Sequence, residues 1–130
     1  MFAKRTRILV VDDEPTICRA LQIALGRMGH DVVTTESGEC ALTLLRAEHF
    51  DCLVVDLRIP DLRGDVLFEL AASIQPHLRK QSVFITGDTS TRGGELIDAC
   101  GCPLLSKPFD LRELMGIVDR LVRHAQDQTA

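Results

Sequence analysis

The stretch Arg7-Ile-Leu-Val-Val-Asp-Asp-Glu-Pro15 decides how the rest of the chain is read. Ile8 to Val11 form a short apolar run rich in β-branched residues, the pattern of a strand buried on both faces, and the run stops abruptly at Asp12, Asp13 and Glu14. Pro15 follows at once, and its fixed φ suits the first turn of a helix. A buried strand over residues 7–12 that feeds directly into a helix is the opening of a βα unit.

The same punctuation recurs along the chain. Ile17, Leu21, Ala24, Leu25 and Met28 repeat at three- and four-residue spacing, and Gly29 stands just past the end of that helical stripe. Residues 31–35 form a second, shorter strand. Ser37 and Gly38 open a helix carrying Ala41, Leu44 and Leu45, after which residues 50–56 give the strongest strand signal and again end in an acid, Asp56. Pro60 and Gly64 bracket a loop. Val66, Leu67, Leu70, Ala71 and Ile74 mark a third helix stopped near Pro76, and residues 82–86 form a fourth strand. Residues 91–99 make a weaker helix, because Gly93 and Gly94 each cost about 1 kcal/mol relative to Ala in a helix interior. After a brief fifth strand at 103–106, Asp110 caps a last helix whose apolar face runs Leu111, Leu114, Met115, Val118, Leu121 and Val122. The polar residues 123–130 are expected to fray.

Five βα repeats with buried strands predict an α/β fold: a doubly wound, flavodoxin-like (βα)5 parallel sheet with helices on both faces and strand order 2-1-3-4-5. Its crevice lies between the carboxyl ends of strands one and three, where ligands bind in such sheets. The residues that break the apolar strands all fall on that edge: Asp12 and Asp13, Asp56, Thr86, and Ser106 with Lys107.

Composition bounds the function. The 130 residues make one domain, with a core over about 7–123 and a polar tail at 124–130. The chain is 45% hydrophobic yet has no Trp, no Tyr and five Phe, so the core is built from Leu, Val, Ile and Ala, and base-stacking platforms are disfavoured. With 15 Lys plus Arg against 19 Asp plus Glu, the formal charge is -4, which argues against direct nucleic-acid binding. No apolar run approaches the ~20 residues of a membrane span, and Lys4, Arg5 and Arg7 precede an apolar run too short for a secretory signal. A soluble, cytoplasmic protein is expected. The five cysteines, Cys18, Cys40, Cys52, Cys100 and Cys102, are an odd set, and the lone C-x-C of Cys100 and Cys102 is expected to be structural and not a zinc site.

Three acids, Asp12, Asp13 and Asp56, would share the crevice with one cation, Lys107. Two carboxylates about 4 Å apart repel by ~4 kcal/mol at an effective dielectric of 20, so such a group either takes up protons or recruits a divalent ion. An all-oxygen donor set selects a hard ion, and Mg²⁺ fits because it keeps several waters and takes one or two carboxylates plus a phosphate. Acids at strand ends are also common turn-formers and helix caps. Their convergence on one edge favours the site. Asp56, directly after Leu53, Val54 and Val55, is then a positioned carboxylate nucleophile for a phosphoryl group, with the metal, Lys107 and the Thr86 hydroxyl stabilising the charge on the transferred oxygens.

Four stretches together carry a family resemblance: Ile8-Leu-Val-Val-Asp-Asp-Glu14, Asp56-Leu-Arg-Ile-Pro60 with Gly64, Ile85-Thr-Gly87, and Lys107-Pro-Phe109. Over residues 7 to about 123 the chain resembles the receiver domains of bacterial two-component response regulators. The resemblance implies that Asp56 is phosphorylated by a phosphohistidine on a sensor histidine kinase or a histidine phosphotransfer protein. It also implies that Asp13, Asp56 and the Arg58 backbone carbonyl bind Mg²⁺ directly, with Asp12 acting mainly through water. Lys107 and Thr86 would contact the phosphoryl oxygens, and the Lys107-Pro108 bond would be cis. Membrane attachment is not implied, and weak homodimerisation fits such a module.

Two departures stand out. Receivers usually carry Tyr or Phe three residues before the lysine, where this chain has Leu104, which reads either as a plain core leucine or as a sign of signalling without an aromatic switch. Arg58 and Asp88, two residues beyond Asp56 and Thr86, carry opposite charge and are expected to pair over the site or to stay solvated. His30, His49, His77 and His124 fall in turns or on polar faces and are expected at the surface, so a phosphodonor histidine belongs elsewhere. Residues 87–94 lack the Gly-Lys-Ser/Thr ending of a nucleotide loop. The leading expectation is a stoichiometric phosphoryl acceptor, not a turnover enzyme. The alternatives are a small Mg²⁺-dependent phosphatase with an aspartyl-phosphate intermediate, disfavoured by the missing Asp-x-Asp pair, and a flavodoxin-like electron carrier, disfavoured by the scarcity of aromatics. A stand-alone regulator and the receiver of a hybrid histidine kinase are equally compatible with the sequence.

Overall fold

The computed structural model describes residues 5–87 and 101–129, with side chains as far as residue 125. Five strands, β1 (Arg7–Val11), β2 (Asp31–Thr35), β3 (Cys52–Asp56), β4 (Ser82–Thr86) and β5 (Leu104–Ser106), form one sheet in the order β2-β1-β3-β4-β5. All four strand pairings are parallel. The described helices are α1 (Pro15–Arg27), α2 (Gly38–Ala47), α3 (Gly64–Ile74) and α4 (Leu111–Thr129), with a 3₁₀ turn at Pro76–Lys80. The fold expected from the sequence is therefore the one observed. The weak helix expected at 91–99 lies outside the described residues, as does Cys100.

Each element begins and ends where its sequence dictates. Pro15 occupies the first turn of α1, where its missing N–H costs nothing, and Gly29 ends the helix with a φ of 93° that a side chain would resist. Ser37 caps α2 by accepting the Cys40 N–H at 3.2 Å. Asp110 holds the start of α4, its carboxylate accepting the Arg112 N–H and its backbone carbonyl the N–H groups of Glu113 and Leu114. That helix continues to Thr129, well beyond the Val122 that ends its apolar stripe, so the expected fraying from Arg123 is not what the backbone shows. An Asp119–Arg123 pair at 3.0 Å spans i,i+4 where the apolar face runs out, the spacing that supports an exposed helix.

The two-residue period of the strands sorts their side chains onto two cores. Leu9, Val11, Leu53, Val55 and Phe84 face α2 and α3, together with Leu45, Phe50, Leu67 and Phe68. Ile8, Val10, Cys52, Val54, Val83 and Ile85 face α1 and α4, with Leu21, Leu25, Leu114 and Val118. Both faces of the central strands are dry, which explains their unbroken apolar runs. Leu104 pairs with Phe84 in the sheet and packs half-buried against the first core.

Of the four histidines expected at the surface, His49, His77 and His124 are exposed and His30 is half-buried. His49 and His77 stack with ring centroids 4.8 Å apart, and His77 Nε2 lies 2.6 Å from the Phe50 carbonyl oxygen, at the sheet edge opposite the carboxyl ends. His30 has a buried Nε2, and burial lowers its pKa. His49 and His77 keep exposed side chains despite these contacts, and only His30, just after α1, is partly withdrawn from solvent.

Phe84 is the point where the first core is most exposed to test. It is 1% accessible and meets Phe68 edge-to-face at 5.2 Å between centroids. Phe84→Ala removes a ring from the centre of the sheet and is expected to cost about 3–5 kcal/mol of stability, read as a lower urea midpoint with an unchanged slope.

Candidate functional site: an acidic cluster held by Lys107

Strand register builds the site. Val11 pairs with Val55, so Asp12 and Asp56, one step beyond, emerge side by side at the carboxyl edge of neighbouring strands. Both continue the face occupied by Ile8 and Val10 in one strand and Cys52 and Val54 in the other, which directs them towards α1 and α4. Both are almost completely buried, Asp12 at 0% and Asp56 at 2% accessibility. Asp13, of opposite parity, is exposed. One oxygen from each of Asp12, Asp13, Glu14 and Asp56 lies within 4.8 Å of the others.

The two buried acids use the same local device. Asp12 Oδ1 accepts the Glu14 N–H at 2.8 Å, and Asp56 Oδ1 accepts the Arg58 N–H at 2.9 Å. In each case a carboxylate bonds the backbone two residues on, an Asx turn that lets the strand end sharply at the acid. Each carboxylate then has its second oxygen to offer to the site.

Lys107 reaches into this cluster from the opposite side of the crevice. Its Nζ donates to Asp56 Oδ2 at 2.8 Å, to Glu14 Oε1 at 2.9 Å and, more weakly, to Asp12 Oδ1 at 3.4 Å. Asp12 Oδ2 is nearer, at 3.1 Å, but lies out of hydrogen-bond alignment and receives no hydrogen bond, although it is buried. The lysine is delivered by β5: the Lys107 N–H donates to the Thr86 carbonyl at 2.7 Å, and the Lys107-Pro108 peptide is cis. Thr86 itself is buried at the end of β4, one residue beyond the Asp56–Ile85 pair.

The charges respond to this packing. Burial pushes the Asp12 carboxyl above its ordinary pKa, against the Glu14 N–H and Lys107 hydrogen bonds that favour the anion, and Asp56 nearby adds to the upward shift. Burial alone would lower Lys107, but its hydrogen bonds to Asp56, Glu14 and Asp12 outweigh that, and its pKa is raised. Cys18, whose thiol donates to the Asp12 carbonyl at 3.2 Å, is pushed up to about 11 by burial and remains a neutral thiol.

The structure thus brings together Asp12, Asp13, Asp56 and Lys107, with Thr86 on the same edge and the Arg58 N–H on the Asp56 carboxylate. Asp88, the expected partner of Arg58, lies outside the described residues. Two further residues take part that the sequence alone does not assign. Glu14 stands at the N-cap position of α1 but makes no side-chain cap; its carboxylate goes to Lys107 instead, and the signal was its place as the third acid in the run. Asp61 bonds the start of α2 from within the β3–α3 loop, a role that no local pattern announces.

Comparison with known proteins follows the same lines. The family model described as "Response regulator receiver domain" matches residues 8–119. The response regulator receiver protein CpdR of Brucella abortus is 32% identical over 117 residues, covering 89% of this chain and 96% of CpdR. The probable transcriptional regulator ycf27 of Cyanophora paradoxa is 33% identical over 99% of this chain, which spans only 53% of ycf27. The same holds for the transcriptional regulatory protein KdpE of Mycobacterium tuberculosis, of which the chain spans 51%. Among solved structures, a CheY-like receiver domain protein from Methanospirillum hungatei superposes with a TM-score of 0.88 at 23% identity, covering 96% of this chain and 99% of that one. With strand order, acidic cluster and lysine all in place, the chain belongs to the response regulator receiver domain family.

Proposed function

We propose that this receiver domain accepts a phosphoryl group on Asp56 from the phosphohistidine of a sensor histidine kinase or a histidine phosphotransfer protein, in the presence of Mg²⁺. The observation that carries the reading is the Asp56 carboxylate itself: buried, oriented by the Arg58 N–H through one oxygen, and paired with Lys107 through the other. A nucleophile held this way has lost its rotational freedom before the donor arrives.

The donor set fits a hard divalent cation. It is entirely carboxylate oxygen, it carries more negative charge than Lys107 offsets, and the buried Asp12 Oδ2 has no hydrogen-bond partner. Asp13 and Asp56 with the Arg58 backbone carbonyl would hold Mg²⁺ directly, and Asp12 through water. When bound, the ion neutralises charge on the phosphoryl oxygens. In the transfer, an Asp56 oxygen bonds to phosphorus as the P–N bond to the donor imidazole breaks; the imidazole keeps the electron pair and takes a proton from solvent. Lys107 then exchanges the Asp56 oxygen for a phosphoryl oxygen, and the Thr86 hydroxyl binds another.

The chain acts as a stoichiometric acceptor that slowly hydrolyses its own acyl phosphate, biasing a protein-binding surface between two states. Its net charge of -4 and its lack of aromatic platforms support action through protein partners without direct nucleic-acid contact. Among the described residues no helix is long and apolar enough to cross a membrane, which supports a cytoplasmic role. Leu104, packed on the core, supports an output that does not use an aromatic ring at that position.

Incubation with acetyl phosphate is expected to produce a Phos-tag-retarded species in wild type only with Mg²⁺, and none in Asp56→Asn. Mg²⁺-dependent label persisting in Asp56→Asn would move the acceptor elsewhere.

A second prediction follows from Asp12. Its raised pKa means that ionisation is less favourable in the folded than in the unfolded state, so stability is lost as pH rises from the unfolded value of 3.8 through the folded one. Asp12→Asn should therefore melt at a higher temperature than wild type near neutral pH without divalent ions, and the gain should vanish below pH 3.8, where both states are protonated. Mg²⁺ should reverse the order by stabilising wild type more. Equal melting temperatures at neutral pH would remove Asp12 as a source of electrostatic strain.

A further inference from the structure

The loop between β3 and α3 carries the Arg58 backbone, and it is tied down at two places. At the site end, the Arg58 N–H bonds Asp56 Oδ1 at 2.9 Å and the Gly64 N–H bonds the Leu57 carbonyl at 3.0 Å. Gly64 lies so close that a Cβ there would overlap the Asp56 carbonyl oxygen. Between these anchors, Ile59 is 4% accessible and packs into the core on the α2 and α3 side.

The far end of the loop is held by a different βα connection. Asp61 Oδ1 accepts the Gly38 N–H at 3.0 Å, and Asp61 Oδ2 accepts the Glu39 N–H at 3.1 Å and the Ser37 hydroxyl at 2.9 Å. These N–H groups belong to the first turn of α2 and have no partner within the helix. A carboxylate there also meets the positive end of the helix dipole. The adjoining Leu62 closes the contact: a Cβ on Gly38 would lie 2.7 Å from Leu62 Cβ. Hydrogen bonds from Gly38, Glu39 and Ser37 hold the Asp61 carboxyl down to about 2, so the latch stays charged throughout the neutral range.

We propose that Asp61 is a positioning residue, which sets the Arg58 backbone for divalent-cation binding by latching the β3–α3 loop to the start of α2. The assignment rests on the reading of Asp56 and its neighbours as a Mg²⁺-assisted phosphoacceptor site. Only Ile59 and Pro60 separate Asp61 from Arg58, and the buried Ile59 and the Asp56–Arg58 turn leave the segment between them little room to move independently. The latch also links α2, which makes no contribution of its own to the acidic cluster, to the geometry of that cluster.

Asp61→Ala and Asp61→Asn, compared with wild type, test the latch by two readouts: hydrogen exchange at the Arg58 amide without divalent ions, and the dissociation constant for Mg²⁺ measured by calorimetry without phosphodonor. Asp61→Ala should weaken Mg²⁺ binding about tenfold, the usual effect of losing an outer-shell partner, and accelerate Arg58 exchange by about as much. Asp61→Asn, which keeps one acceptor oxygen, should fall between. Gly38→Ala reaches the same loop by displacing Leu62 and should shift both quantities in the same direction, which keeps the test available if Asp61→Ala does not fold. Exchange that quickens only at the first turn of α2, with Arg58 protection and Mg²⁺ affinity unchanged, would reduce Asp61 to a helix cap and overturn the proposal. If wild type binds no Mg²⁺, the reading of the site fails, and the Arg58 amide still decides the latch.

Discussion

Two buried carboxylates lie side by side at the carboxyl edge of the sheet because β1 and β3 run parallel in a register that pairs Val11 with Val55. The rest of the site answers that placement. Repulsion between Asp12 and Asp56 in a region closed to water has to be offset by a cation, and Lys107 supplies one charge against Asp56, Glu14 and Asp12 together. The imbalance that remains is the property through which a divalent ion and a phosphoryl group can be recruited. A protein selected for stability alone would not keep it.

Local turns and distant strands contribute separately to this arrangement. Each of the two acids spends one oxygen on the backbone N–H two residues later, which fixes its rotamer by purely local means. The second oxygen of Asp56 meets Lys107, which arrives from β5 beyond β4, while that of Asp12 keeps no hydrogen bond. The Thr86 carbonyl takes the Lys107 N–H and aligns the end of β5 with the end of β4. Orientation is therefore local and proximity is topological.

Much of this was legible in the residues. Strands buried on both faces show as unbroken apolar runs, and their interruption by acids, a threonine and a serine-lysine pair marks the edge where chemistry collects. Helix starts at Pro15, Ser37 and Asp110 carry their signals in single residues. Contacts between turns left no such trace. The stack of His49 on His77 joins the α2–β3 and α3–β4 connections, and Asp61 joins the β3–α3 loop to α2 across 22 to 24 positions of sequence. Neither has a period or a spacing, because each depends on which connections the sheet order makes neighbours. The length of α4 was misjudged for another reason: its apolar stripe ends at Val122, but an exposed helix can continue on ion pairs and propensity without burying anything.

By itself the sequence determined the periodicities, the breaks in them and the chemical inventory at each break: strands, helices, three acids in a row, one acid ending β3 and one lysine after β5. These follow from properties of single residues and their near neighbours. Only the tertiary structure decided that Glu14 serves Lys107 instead of capping α1, that one oxygen of Asp12 stays without a hydrogen bond, and that Asp61 fastens the loop of Arg58 to α2. Those outcomes depend on distances between segments far apart in the chain, which are set when parallel strands align in register and bring their connecting loops to one edge.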